Sequence, residues 1–169
     1  VDNRAVMEHD FINIQAICGR IKHGTVTVRD IVNLWKHNLI VVNPEYQREF
    51  IATGKWKSNL IGTSMQNSIT SCIYLRELPN GKYEVLDGLQ RLHTYKDFFE
   101  SLFKTPVMED SEGTRIKTRH GTEKVVPSKT WIELKELSYF NLIEEKLMGH
   151  TMSVTIYDKS HSNSEASLI

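Results

Sequence analysis

Val85-Leu86-Asp87-Gly88-Leu89-Gln90-Arg91-Leu92-His93-Thr94 carries the chain from β-forming residues into a run with helical spacing. Working backwards, Tyr83-Glu84-Val85-Leu86 is preceded by Pro79-Asn80-Gly81-Lys82 and by a β-rich stretch over 69–78. An Asn-Gly pair between two such stretches predicts a hairpin, because both residues accept the left-handed backbone that a tight turn requires. Working forwards, Leu92, Tyr95, Phe99 and Phe103 recur near one side of a helix predicted over 89–103, while Gln90 and Thr94 share another. The aromatic stripe reads as core packing, and the polar first turn is left to face a ligand. Unpaired N–H groups and the helix dipole favour an anion at such a terminus. Phosphate is the natural candidate.

A second polar cluster, Asn43-Pro44-Glu45-Tyr46-Gln47-Arg48, follows the apolar run Leu39-Ile40-Val41-Val42. Both clusters hold a Gln-Arg pair, Gln47-Arg48 and Gln90-Arg91, after a predicted strand, where ligands of open sheets bind. The arginine fork matches phosphate oxygens, and glutamine both donates and accepts. The plain alternative is a tight turn at Asp87-Gly88 with arginines in exposed ion pairs. His93 reads more simply as a surface residue than as a catalyst.

The combination Asn43-Pro44-x-Tyr46-Gln47-Arg48, a helix around Trp56, a hairpin and Asp87-Gly88-x-Gln90-Arg91-x-x-Thr94 resembles the N-terminal domain of GmrSD-type restriction enzymes, found also in SspE-type and BrxU-type phage-defence proteins. The resemblance runs from Val28 to the C-terminus and includes Val154-Thr155-Ile156-Tyr157 as a closing strand. It implies an α+β fold similar to ParB and sulfiredoxin, a small mixed sheet flanked by helices. It also implies binding and hydrolysis of a nucleoside triphosphate, GTP or ATP, that governs a nuclease domain, and contact with DNA through that partner. The family signature is Asp-Gly-Gln-Gln-Arg, and its first glutamine is Leu89 here. A leucine neither orients water nor bonds phosphate.

On this reading Asp87, Gln90, Arg91 and Gln47 are the catalytic candidates, and Tyr46, Arg48, Gly88 and Thr94 the nucleotide-binding ones. Asp87 is also the candidate Mg²⁺ ligand. Phosphoryl transfer asks chiefly for positioning and charge neutralisation, which two arginines suit. There is no Gly-x-x-x-x-Gly-Lys-[Ser/Thr] sequence, so a P-loop is excluded. A metal-nuclease constellation is missing as well, which leaves DNA cleavage to the partner. A non-catalytic ParB-like module for DNA binding or protein docking is the second reading. Sulfiredoxin-like chemistry is the weakest, since Cys18 and Cys72 lie far from the motif.

Composition sets the bounds. The chain has 169 residues, 40% hydrophobic and 25% charged, which predicts one globular domain with an N-terminal extension over 1–24. Its 21 basic and 21 acidic residues cancel, so no long-range field draws it to DNA or an anionic membrane. Cys18 and Cys72 show neither zinc spacing nor a disulfide framework, and no apolar run approaches the roughly 20 residues of a membrane span. A cytoplasmic setting follows as the expectation, and a homo-oligomer is compatible with it. Ser162-x-x-Glu165 reads as a capping box for a helix that Ile169 cuts short, which predicts a piece of a longer protein.

Three further elements are expected. Thr27-x-x-Asp30 caps a helix carrying Val28, Ile31, Val32 and Trp35 that ends near Asn38, with Trp35 in the core. A polar stretch over 104–130 forms a projecting hairpin, where Arg115, Lys117, Arg119 and Lys124 are interleaved with acids and so make a solvated surface more than a nucleic-acid tip. Ser138 caps a helix with Leu142, Ile143 and Leu147 that Gly149 ends, before a strand over 151–157.

Overall fold

The computed structural model describes residues 13–18, 21–44, 53–68, 72–108 and 112–158. It is a mixed α+β fold whose contacts gather into two compact units, one drawn from Val1–Glu49, Thr70–Leu89 and Thr151–Ile169, the other from Phe50–Ile69 and Gln90–His150.

The first unit is built on a six-stranded sheet of order β1-β2-β8-β4-β5-β3, with β1 Asn13–Cys18, β2 Ile21–Thr27, β3 Ile40–Val41, β4 Ile73–Glu77, β5 Tyr83–Asp87 and β8 Thr151–Tyr157. Pairing is antiparallel except at two places: β4 runs parallel to β8, and β3 parallel to β5. Alternation decides the core face. Ile73 and Leu75 of β4 align with Val154 and Ile156 of β8, Leu75 aligns with Val85 of β5, and all five are buried. Full burial of each aliphatic side chain is worth about 1.5–3 kcal/mol. The Asn80-Gly81 turn joins β4 to β5 as expected, with Gly81 at φ 81° and Leu78 N–H donating to Lys82 O at 2.8 Å.

Helix α1, Val28–Lys36, starts at the expected capping box: the Thr27 hydroxyl accepts from Asp30 N–H at 3.1 Å, and the Asp30 carboxylate accepts from Thr27 N–H at 2.6 Å. It buries Val28, Ile31, Val32 and Leu34. Trp35, expected in the core, is only half-buried, and Leu34 fills the inward position beside it. The segment over 1–24, expected as an extension without readable structure, supplies β1 and β2 from its described residues.

The second unit contains α2 Gly54–Met65, all of α3 Leu89–Phe99 beyond its first residue, the hairpin of β6 Gly113–Lys117 and β7 Glu123–Pro127, and the short helices α4 Trp131–Leu134 and α5 Phe140–Met148. Helix α3 stops four residues before the expected Phe103. Ser101 takes a left-handed backbone, φ 60°, and Leu102 N–H then reaches Asp97 O at 3.1 Å. Asn38 and Asn67 end α1 and α2 in the same way, at φ 55° and 57°, with the following N–H bonded five residues back. Tyr95, as expected, and Phe98 are the fully buried aromatics of α3, and Phe99 and Phe140 meet the Trp131 ring edge-on at 4.8 and 5.0 Å. Ser138 is not the cap of α5. Tyr139 holds that position without a side-chain bond, while Thr130 and Glu133 form a capping box for α4 that the sequence reading passed over. The hairpin is solvated on one face, with Arg115 and Glu123 3.8 Å apart, but Thr114, Ile116 and Val126 bury its other face.

Among the described residues no helix is long and apolar enough to cross a membrane. His150, directly after α5, is 3% exposed, and neither ring nitrogen finds a partner among the described residues. Burial pushes this imidazole below its ordinary 6.5. The unfolded chain therefore binds the extra proton more readily, so the stability held above pH 6.5 is lost as pH falls through that value. Urea unfolding is expected to show a falling midpoint from about pH 7 to about pH 5, with a flatter profile for His150→Leu. At the capping box of α1, Thr27→Ala is expected to cost about 1 kcal/mol in the same assay.

Candidate functional site

The first residues of the two polar clusters, Asn43 and Asp87, lie at the same end of the sheet. Ile40 pairs with Tyr83 and Val41 with Glu84 in parallel register, so Asn43 follows the C-terminal end of β3 on the side where Asp87 closes β5. Asn43 is tied back to β5: its amide Nδ2 donates to Glu84 Oε1 at 2.8 Å. Glu84 is 3% exposed, and Arg76, directly across on β4, donates from Nη2 to its other oxygen. Sequence reading missed both Glu84 and Arg76.

Strand β5 lies inside the sheet, between β4 and β3, so Asp87 sits at the end of an internal strand and not at a lateral edge. The β4–β5 register shifts between Tyr74 and Leu75, which sets Asp87 opposite Tyr74 while Leu75 faces Val85. Such bulges re-aim side chains at strand ends. Gly88 follows at φ 96°, a conformation in which a Cβ is strained, and its N–H donates to Asp87 Oδ1 at 3.0 Å. The acidic turn is thus closed upon itself. Leu89, the residue after Gly88, is 9% exposed and packed.

Further along α3, Gln90 and Arg91 are half-buried. Thr94, expected beside Gln90 on the polar side, is fully buried, and its hydroxyl donates to Gln90 O at 2.7 Å. His93 is half-buried; desolvation lowers its pKa, against which Asp97 acts. Asp97 is itself bonded by Lys57 Nζ from α2 at 3.0 Å. Tyr46, Gln47 and Arg48 lie outside the described residues.

Among the described residues no group of three or more His, Cys, Asp or Glu is placed to hold a metal ion. Mg²⁺ bound through one carboxylate and phosphate oxygens needs no such group, so Asp87 fits that mode alone. Cys72 is half-buried, with Sγ 3.5 Å from Thr155 Oγ1.

The described residues form an α+β domain in which a strand-to-helix junction reading Asp87-Gly88-x-Gln90-Arg91 lies beside a parallel neighbour strand. The GmrSD restriction endonuclease N-terminal domain family matches residues 28–167, and the chain belongs to that family. It is thereby a domain of the restriction systems used in phage defence. No curated protein and no solved structure matches it.

Gly88→Ala places a Cβ on a left-handed backbone and is expected to lose about 1–2 kcal/mol in urea unfolding. A variant as stable as the parent would show that the turn relaxes out of this geometry.

Proposed function

We propose that this domain binds a nucleoside triphosphate at the end of the sheet where Asn43 and Asp87 lie, hydrolyses it, and so controls a nuclease partner acting on foreign DNA. The observation that supports the reading is the parallel pairing of β3 with β5, which brings Asn43, at the start of the first motif, and Asp87, at the start of the second, to the same end of the sheet. Membership of a restriction endonuclease family supports the nuclease and DNA side.

The roles follow from charge and reach. Arg48 and Arg91 oppose the phosphate charge, the backbone at Gly88 approaches the phosphates without a side chain in the way, and Tyr46 stacks on the base or ribose. Gln47 and Gln90 align the attacking water. That water attacks the terminal phosphorus, the bond to the bridging oxygen breaks, and phosphate and the diphosphate leave. Asp87 would hold Mg²⁺, which would supply charge neutralisation when bound. Thr94 supports the site by holding the first turn through the Gln90 carbonyl.

A second reading, a non-catalytic module for DNA or protein docking, draws on two features: Leu89 is packed where the family has glutamine, and the Gly88 N–H is already satisfied by Asp87. Titration of the purified protein with ATP and GTP, with phosphate release measured alongside, separates the two. Arg91→Ala is expected to weaken nucleotide binding about tenfold or more, since a charge-assisted bond is worth about 1.5–3 kcal/mol. Asp87→Ala is expected to remove the Mg²⁺ dependence of release. Absence of binding in parent and both variants, together with salt-sensitive binding of duplex DNA, would establish the docking module instead.

A further inference from the structure

We propose that Glu84 is a positioning residue for the nucleotide end of the sheet, setting the distance between the two motif exits through Asn43 and Arg76. This rests on the nucleotide reading above and names a group that no sequence motif includes.

Little backbone holds β3. Its ladder with β5 comprises Ile40 and Val41, extended by Tyr83 N–H donating to Leu39 O at 2.7 Å. Beyond that point Asn43 is held by its side chain, and the partner is Glu84, 41 residues on in sequence. A carboxylate that is 3% exposed must be neutralised and bonded, or its burial is costly. Arg76 lies opposite it in the β4–β5 register, itself largely buried, and takes Oε2; Asn43 takes Oε1. One carboxylate thus grips both neighbouring strands. Three residues later the same strand ends in Asp87, so a shift at Glu84 moves the first motif's exit relative to the acidic turn. Glu84 touches no ligand and acts through Asn43.

Asn43→Ala, Glu84→Gln and the pair together test this, with nucleotide affinity, KM, kcat and thermal midpoint measured on the whole chain, and hydrogen exchange at the Asp87 and Gly88 amides followed without nucleotide. Each single change is expected to weaken nucleotide affinity about tenfold and to speed exchange at Gly88, with the double variant no worse than either single, as for groups acting as one unit. The swapped pair Asn43→Asp with Glu84→Gln rebuilds a donor–acceptor contact of reversed polarity and is expected to recover affinity. Unchanged affinity and exchange, or additive losses that track the thermal midpoint alone, would overturn the proposal. Should Glu84→Gln not fold, Asn43→Ala decides between these outcomes through the same exchange and affinity readouts. A parent that binds no nucleotide would end the nucleotide reading, while exchange at Gly88 still decides whether Glu84 positions the turn.

Discussion

A carboxylate buried in the middle of a sheet constrains everything around it. Glu84 lies on β5, with β4 on one side and β3 on the other, and it is answered by a guanidinium from the first and an amide from beside the second. Replacing such a pair with hydrophobic residues is often neutral for stability, so its value lies in specificity of pairing. A two-residue strand with an aliphatic pattern slides easily, and a slip of one residue would turn its side chains to the other face. The bond from Asn43 to Glu84 opposes that slip. On the positioning proposal, the parallel placement of β3 draws on this contact as well as on the ladder at Ile40 and Val41.

Much of the fold was legible because its signals are local. Asn80-Gly81 specified the hairpin, Thr27 with Asp30 specified the start of α1, and Thr151–Tyr157 showed the alternation of a half-buried strand. The hairpin of β1 and β2 was not legible, because β2 buries only Val26 and carries Lys22, His23 and Gly24 where a strand signal would alternate. Its placement comes from pairing with β8, in which His23 meets Thr155, 132 residues on in sequence. Thr130-x-x-Glu133 was a readable signal passed over, and the stop at Ser101 had none, since serine seldom adopts a left-handed backbone.

Of the candidate site, the residues at the strand end were readable and their surroundings were not. Asp87 and Gly88 form the turn that an Asp-Gly pair suggests. Glu84, by contrast, reads in Tyr83-Glu84-Val85-Leu86 as an ordinary solvent-facing residue, because its partners lie 8 and 41 residues away. Thr94 shows the limit of helical-wheel reasoning. Spacing put it on a polar side, yet its methyl and hydroxyl are enclosed, and the hydroxyl turns back to the helix, as threonine readily does.

The departure at Leu89 and the closed turn at Asp87 bear on each other. A packed leucine adds no donor or acceptor at the first helical position, so polar work at this helix start falls to Gln90, Arg91 and the backbone. The Gly88 N–H is among those backbone donors, and the Asp87 carboxylate already occupies it. An incoming phosphate must displace that carboxylate while being repelled by it, since two like charges cannot share one amide without a cation between them. On the nucleotide reading, the arginines and a hard cation therefore carry a larger share of binding than the helix terminus does. Affinity would then fall more steeply with added salt or chelator than for a site built on backbone N–H groups, and Asp87, released from Gly88, would become available as the ligand of that cation.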